Sequence, residues 1–222
     1  TPLPAISRAI IVLHGRLRNA DVYYISAHTA QVAAGDDGKS ALMIVPQFLA
    51  EIDVEAYKLP ADTLRWSLEG WEGGDAALAP NPVSSFEALD AILAKLADRR
   101  IFPNLKQVVV AGHSGGGQVA QRYAIAGKGE ALLSRQHIDV RYVVANPSSY
   151  AYFSNERPVP AMAASCPGYN NWKYGMNERP PYLADATPAA LEQRYVERDV
   201  IYLLGTLDTN PEHPALDKSC MG

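Results

Sequence analysis

The sequence has few of the features that place a protein on nucleic acid, in a membrane or around a metal. It contains two cysteines among 222 residues, too few for a zinc site built on cysteine pairs. Its 20 basic and 24 acidic residues give a formal net charge of −4 and form no long block of one sign. The balance gives no electrostatic reason to expect a nucleic acid or an anionic membrane as partner. No apolar run approaches the roughly 20 residues of a membrane span. We therefore expect no nucleic acid, membrane or cofactor partner.

The two cysteines bear on the compartment. Cys166 and Cys220 both lie in segments rich in proline or glycine rather than in apolar elements. An even pair in such segments predicts one disulfide bridge, with two buried free thiols as the alternative. The chain begins with Thr1 and no basic and apolar leader is visible, so a leader is either removed or not included. We expect a secreted or periplasmic protein, with a cytoplasmic one as the alternative.

Short apolar runs alternate with helical patterns along the chain. Five runs are nearly continuously apolar, as are strands buried on both faces of a parallel sheet. They cover residues 9–13, 41–45, 107–111, 140–145 and 200–204. The alternation predicts a doubly wound, mostly parallel α/β fold with right-handed crossovers. The length suits one domain, residues 1–222.

Three helices are predicted between these strands. The first covers residues 21–34, with Asp21 as N-cap and an end at Gly35. The second covers residues 85–99 behind a capping box that runs from Ser84 to Glu87. The third covers about residues 116–126.

Two proline-rich regions, residues 46–83 and 147–190, interrupt the alternation. Long irregular segments in compact domains often act as lids or binding loops. We therefore expect residues 147–190 to form a cap over the carboxyl edge of the sheet. Their aromatic side chains would then line a pocket, although ordinary packing of an insertion explains them nearly as well.

The stretch "AGHSGGGQVAQRYA" carries the strongest chemical signal. Gly112-His113-Ser114-Gly115-Gly116 matches G-x-S-x-G, with a predicted strand before it and a predicted helix after it. Such a turn raises the serine hydroxyl above the sheet, and the flanking positions need residues without large side chains. It also directs the backbone N–H of Gly115, at a helix N-terminus, toward an oxyanion. We interpret Ser114 as a nucleophile, with a simple turn serine as the alternative.

These residues give the sequence a family resemblance. The chain resembles the α/β-hydrolase superfamily from its first strand to the loop after its last one. The stretches "VLHGRLRNADVYY", "AGHSGGGQVAQRYA" and "LLGTLDTNPEHPALDKSC" also resemble an uncharacterised group of bacterial and fungal esterase-like hydrolases. The resemblance implies an α/β-hydrolase fold with an irregular cap insertion and a serine-based mechanism.

The resemblance also directs attention to "LHGRLRN". In such enzymes a His-Gly pair after an early strand begins the loop that supplies the second oxyanion donor. It implies that the donor is the backbone of Arg16 or Leu17, and that His14 braces the loop instead of taking part in catalysis.

An acid is expected on a loop at the carboxyl end of a later strand. Asp208 follows the strand predicted at residues 200–204, whereas Asp139 and Asp199 precede their strands and lie at the wrong edge. The alternative is a turn-forming aspartate in "LDTNP". The cluster of Asp208, Thr209, Asn210 and Glu212 lacks the glycine and spacing of a calcium loop, so no metal is expected.

The base is the least certain member of the site. In this fold the order is serine, acid, histidine, and His213 is the only histidine after Asp208. It lies in the same short loop as the acid, whereas the base usually stands on a separate loop. We therefore expect that a C-terminal segment is absent and that the base lies on it, with a separate fragment of the same precursor as one form of that segment. His213 is the alternative, and a protein without catalysis is a third.

The predicted function is hydrolysis of carboxylic esters through an acyl-enzyme on Ser114. Amide or peptide hydrolysis on the same fold is one alternative. A binding protein without the base is the other. Core packing competes with a binding role for each aromatic residue that could line a substrate pocket. These residues are Tyr23, Tyr24, Trp71 and Trp172.

Overall fold

The computed structural model describes residues 1–158, 165–210 and 212. Its centre is a parallel sheet of five strands in the order β2-β1-β3-β4-β5. The strands are β1 (Arg8–Leu13), β2 (Ala41–Ile44), β3 (Gln107–His113), β4 (Asp139–Ala145) and β5 (Asp199–Leu203). The fold predicted from the alternating pattern is confirmed.

Seven α-helices are found in the described part of the chain, most of them between the strands. They are α1 (Ala20–Ala33), α2 (Asp36–Lys39), α3 (Glu51–Ala56), α4 (Ser85–Leu96), α5 (Gly115–Ala126), α6 (Glu130–Ser134) and α7 (Pro188–Val196). The N-cap Ser84 accepts from the backbone N of Phe86, and Glu87 accepts from the backbone N of Ser84, as the capping box predicted.

The core lies where α5 crosses the middle of the sheet. All residues of α5 are buried, and the helix contacts β1, β3 and β4. Strands β1, β3 and β4 alternate between buried and partly buried positions, so that one face of each is sealed by helices. The strand order reverses between β1 and β3, which places a crevice at their carboxyl ends.

The prediction of burial on both faces is wrong for β5. This strand is at the edge of the sheet, and four of its five residues are exposed. Apolar residues are also exposed at the end of β5 and in the loop that follows: Leu203 is 53% exposed and Leu207 is 94% exposed. An edge strand has a neighbour on one side only, so its apolar composition alone does not ensure burial.

The predicted N-cap of the first helix is also wrong. Helix α1 begins at Ala20 with Asn19 as N-cap, and Asp21 lies in its first turn, where a negative charge suits the helix dipole. The side chain of Gln47, after β2, accepts a hydrogen bond from the backbone N of Ala20 at 3.1 Å. A tertiary contact thus satisfies the first N–H, which no local pattern could reveal.

The two proline-rich regions contact each other through described residues. Residues 46–83 contain α3 and a 3-10 turn at Gly70–Glu72. In the second region, the indole N–H of Trp172 donates to the backbone O of Gly73. The role of residues 147–190 as a cap stays a prediction.

Two further observations concern the expectations on membrane and disulfide. Among the helices that the structure describes, none is both long and apolar enough to cross a bilayer. Cys166 is buried, but Cys220 lies outside the described residues. The bridge between them therefore stays a prediction.

Candidate active site

Ser114 occupies a sharp turn between β3 and α5. Its backbone has φ 57° and ψ −120°, a region that residues with a side chain rarely adopt. The backbone N of Ser114 donates to the O of Ala145 at 3.0 Å, and its backbone O accepts from the N of Gln118 at 3.0 Å. The turn is therefore fixed to β4 on one side and to α5 on the other.

Glycines around Ser114 allow the backbone of α5 to pack closely against the ends of β1 and β3. A Cβ on Gly112 would lie 2.0 Å from the O of Gly116, and a Cβ on Gly116 would lie 2.1 Å from the O of Leu13. Real side chains do not approach a carbonyl oxygen to that distance. The glycines thus let the first turn of α5 rest directly on the ends of β1 and β3.

The two predicted oxyanion donors lie side by side. Gly115 is the first residue of α5, so its N–H points out of the helix N-terminus. A Cβ built on Gly115 would lie 2.9 Å from the backbone N of Arg16. Of the two residues predicted as second donor, Arg16 is the one that this contact brings to Gly115. Leu17 is 82% exposed.

His14 supports the loop that carries Arg16. Its ring is completely buried, 4.8 Å from the ring of Trp71 between centroids. The backbone N of Phe48 donates to Nε2 at 2.9 Å, and Nδ1 lies 3.0 Å from the O of Gly15. Because Nε2 accepts, we assign the proton to Nδ1, which then donates to Gly15. Burial lowers the pKa of the ring, so a neutral imidazole joins the loop to residue 48.

Arg18 holds the far end of the same loop. Its guanidinium donates two hydrogen bonds to Asp53, with Nε at 2.5 Å and Nη2 at 2.9 Å. The hydrogen bond from Arg18 lowers the pKa of the Asp53 carboxyl. Nη1 of Arg18 donates to the backbone O of Arg16 at 2.8 Å. These bonds occupy the guanidinium and leave it a structural role in the loop.

Asp208 lies where an acid was expected. It closes a turn directly after β5, with its backbone N donating to the O of Gly205 at 3.1 Å. His113 of β3 pairs in register with Ala145 of β4, and Ala145 pairs with Leu203 of β5. The segments that follow these strands, one with Ser114 and one with Asp208, therefore leave the same edge of the sheet.

A cavity of about 430 Å³ separates the acid loop from the end of β4. The side chain Oδ1 of Asn146 accepts from the backbone N of Gly205 at 2.8 Å and ties the two loops together. The cavity is lined by Asn146, Pro147, Tyr150, Leu204, Gly205, Asp208, Thr209 and Asn210. Asn146 directly follows Ala145, the hydrogen-bond partner of Ser114, so the cavity adjoins the turn that holds the nucleophile.

Among the described residues, no histidine ring is hydrogen-bonded to Ser114 or Asp208. In that part of the chain, the only side-chain hydrogen bonds of histidine rings are the two of His14. His28 is exposed on α1 and stacks on Tyr24, and His137 precedes β4 at the opposite edge of the sheet. His113 is exposed immediately before Ser114. His213 lies outside the described residues, so its predicted role stays a prediction.

The four aromatic residues predicted to bind substrate are spread over different surroundings. Trp71 is completely buried and stacks on Phe48, so its indole belongs to the core, which was the alternative to a binding role. Tyr24 is 49% exposed on the outside of α1. Trp172 packs against Gly73. Tyr23 touches the oxyanion loop: its hydroxyl would lie 2.7 Å from a Cβ on Gly15, and burial raises the pKa of Tyr23. A role in substrate binding stays a prediction for these residues.

Sequence reasoning missed two residues near the site. Asn146 joins the two loops at the cavity, which is also lined by Tyr150, one of the aromatic residues of 147–190. Glu72 is a completely buried carboxylate beside Arg16. The position of Asn146 directly after a predicted strand was a usable signal for the first. For Glu72, the surrounding sequence "EGWEGG" gave no signal that this glutamate lies near the site.

Within the part of the chain that the structure describes, no group of three or more His, Cys, Asp or Glu residues could hold a metal ion. The donors that surround Ser114 are backbone N–H groups, which stabilise an oxyanion.

A serine at a strained strand–helix turn, beside backbone donors from the loop after β1, defines the class of the α/β hydrolases. The comparison with protein families agrees. The model described as "Alpha/beta hydrolase family" matches residues 10–219, and the chain belongs to this family. The resemblance stated from the sequence is confirmed.

Among solved structures, the chain is similar to poly(aspartic acid) hydrolase-1 from Sphingomonas sp. KT-1. The two share 20% sequence identity and superpose with a TM-score of 0.61, over 98% of this chain and 68% of the other. At this identity the similarity shows the fold alone. A search of the curated proteins found no match.

Proposed function

We propose that the protein is a serine hydrolase that cleaves carboxylic esters through an acyl-enzyme on Ser114. Family membership supports hydrolase activity. The serine-based mechanism is proposed from the geometry of the turn. Ser114 has φ 57° and lies beside two candidate backbone donors, Gly115 and Arg16, that are close to each other. Carboxylic esters are the first choice by analogy with the fold.

In this mechanism the Oγ of Ser114 attacks the ester carbonyl carbon. The hydroxyl proton passes to a histidine base, and the carbonyl oxygen becomes an oxyanion that accepts from the N–H groups of Gly115 and Arg16. The intermediate then collapses, the C–O bond to the alcohol breaks, and the proton returns to the alcohol. Water repeats the sequence on the acyl-enzyme and releases the acid.

The base is proposed to occupy the cavity beside Asp208, where its second ring nitrogen would donate to the carboxylate. His213 is one source. A histidine on a separate fragment of the same precursor is the other, and we favour it because β5 exposes an apolar edge. Leu203, Leu204 and Leu207 are 53%, 62% and 94% exposed, which leaves a surface that a further segment could cover.

Two measurements distinguish these sources. The intact mass of the native active protein shows whether a second fragment accompanies the 24.1 kDa chain. The variant His213→Ala is then assayed with the same ester. Full activity of that variant would exclude His213, whereas an active single species of 24.1 kDa would exclude the separate fragment.

The proposed function is tested with a fluorophosphonate probe and a panel of substrates. We expect the probe to label Ser114 in the native protein and not in Ser114→Ala. We expect turnover of p-nitrophenyl esters to exceed that of aminoacyl anilides. Faster cleavage of the anilides would assign the protein as an amidase, and absence of both labelling and turnover would favour a binding protein.

A further inference from the structure

A buried carboxylate lies behind the oxyanion loop and contacts two cations. The side chain of Glu72, at the end of the 3-10 turn, is 1% exposed. Nε of Arg16 lies 3.0 Å from its Oε1 and Nη2 lies 3.4 Å from its Oε2. Nζ of Lys173 lies 2.8 Å from the same Oε2. One carboxylate is thus shared by the oxyanion loop and by residues 147–190.

A second carboxylate balances the charge of this group. Glu69 lies 3.4 Å from Nη2 of Arg16 and 3.1 Å from Nζ of Lys173, with its side chain 57% exposed. The four residues carry two positive and two negative charges. Removing the charge of Glu72 would leave two cations with one exposed carboxylate, and an unbalanced charge is costly at Lys173, whose side chain is 12% exposed. The position of the Arg16 side chain therefore depends on Glu72.

Three contacts, one of them to Glu72, hold residue 16 in place. The peptide on one side of Arg16 is held through Gly15, whose carbonyl contacts His14. The carbonyl of Arg16 itself accepts from Arg18. The bond from the Arg16 side chain to Glu72 supplies a third, independent anchor. Three anchors therefore hold one residue, whose backbone N would lie 2.9 Å from a Cβ on Gly115, the other predicted donor.

We propose that Glu72 is a positioning residue of the oxyanion hole, and that Lys173 completes it from residues 147–190. The inference rests on the proposed function, because it assumes that the N–H of Arg16 stabilises an oxyanion on Ser114. In this arrangement Glu72 does not touch the substrate. It keeps the donor of Arg16 in place, so that the oxyanion hole depends on how residues 147–190 pack.

The experiment measures ester hydrolysis by the variant Glu72→Gln, which keeps the shape of the side chain and removes its charge. Loss of one oxyanion donor lowers kcat by about 10²–10³-fold. Displacement of the donor should cost less, so we expect kcat to fall roughly 10–100-fold with KM within about twofold. The affinity for phenylboronic acid, which forms a tetrahedral adduct on the serine, should fall by a similar factor.

The matched control is Glu130→Gln. Glu130 forms an ion pair with Arg198 at 2.6 Å, with side chains 21% and 7% exposed, at the start of α6 and away from the oxyanion loop. We expect this variant to lose stability toward urea but to keep kcat and the boronic acid affinity. Arg16→Met should resemble Glu72→Gln, and the double variant should be no worse than either single one, because both remove the same anchor.

The outcomes separate the two proposals. A wild-type protein that neither hydrolyses esters nor reacts with the fluorophosphonate would overturn the proposed function and this inference with it. An active wild type with unchanged kcat in Glu72→Gln would overturn the inference alone, as would equal losses of kcat in Glu72→Gln and Glu130→Gln. If Glu72→Gln does not fold, Lys173→Met takes its place, and an unchanged kcat in that variant contradicts the proposal.

Discussion

The imidazole Nε2 of His14 accepts a hydrogen bond from the backbone N of Phe48 at 2.9 Å, inside the core. The bond requires an unprotonated nitrogen, because a second N–H there would face the N–H of Phe48. Burial also lowers the pKa of the ring, because the charged form would lose its hydration there. His14 therefore connects the oxyanion loop to residue 48 only in its neutral form.

This relationship predicts a loss of stability in mild acid. In the unfolded chain a histidine takes up a proton near pH 6.5, whereas the lowered pKa keeps His14 neutral in the fold. Between the two pKa values the unfolded state binds more protons, so the free energy of unfolding rises with pH and falls as the pH drops below about 6.5. This one group contributes at most about 1.4 kcal/mol per pH unit. Urea denaturation at pH 7.5, 6.0 and 5.0 measures the slope.

The contribution of His14 is isolated by comparing variants. We expect His14→Gln to be less stable at pH 7.5 and to have a smaller pH slope than the wild type. His28→Gln, at an exposed position on α1, should keep the wild-type slope. Equal slopes for wild type and His14→Gln would show that another group causes the acid sensitivity.

A second prediction concerns the contact between α5 and β1. A Cβ on Gly116 would lie 2.1 Å from the backbone O of Leu13, so Gly116→Ala must displace the helix or the strand. We expect a loss of about 1–3 kcal/mol in the free energy of unfolding, the usual cost of overpacking. Gly205→Ala is the control, because its Cβ would meet no atom closer than 3.4 Å. Similar stability of both alanine variants would contradict the predicted close packing.

Much of the site followed from the sequence because the signals were local. The turn around Ser114 has a fixed pattern of glycines between a strand and a helix, and the structure places it as expected. The position of Asp208 followed from the rule that loops at one edge of a parallel sheet meet. The family resemblance implies Arg16 or Leu17 as the second donor, and the distance between Gly115 and the backbone N of Arg16 favours Arg16, whose role stays a prediction.

The rest of the site depends on contacts between distant segments. Glu72 lies 56 residues from Arg16 and 101 from Lys173 along the chain. No local spacing in the sequence could therefore predict that these three side chains are in contact. For Trp71 the sequence left a pocket and the core open, and its packing against His14 in the core depends on a segment far along the chain. The exposure of β5 depends on the order of the strands, which its own apolar run does not encode.

A third prediction tests the strain at the nucleophile. With φ 57° and ψ −120°, any side chain at position 114 is unfavourable, and such residues cost on the order of 1–3 kcal/mol. Both Ser114→Ala and Ser114→Gly should lose turnover by several orders of magnitude. Ser114→Gly should nevertheless be more stable than Ser114→Ala by about 1 kcal/mol, because glycine adopts this conformation without strain.

The order of the two variants should be reversed at an ordinary helical position. Ser26 is exposed in the middle of α1, where alanine is favoured over glycine by about 0.5–1 kcal/mol. Urea denaturation of the four variants gives both differences. If glycine were less stable than alanine at position 114, as it is expected to be at position 26, the turn would be relaxed.

A fourth prediction assigns the acid. Asp208→Asn keeps the turn that the backbone of residue 208 forms with Gly205, but removes the negative charge that would orient a histidine and stabilise its protonated form. We expect kcat to fall by roughly 10⁴-fold, as in other triads, with little change in KM or in stability. Asp199→Asn is the control: Asp199 lies at the start of β5 and forms an exposed ion pair with Arg141 at 2.7 Å, which contributes little to stability. Initial rates with a p-nitrophenyl ester compare the two. If Asp208→Asn retained the activity of Asp199→Asn, the acid would have to come from another residue, and the cavity beside β5 would lose its assigned role.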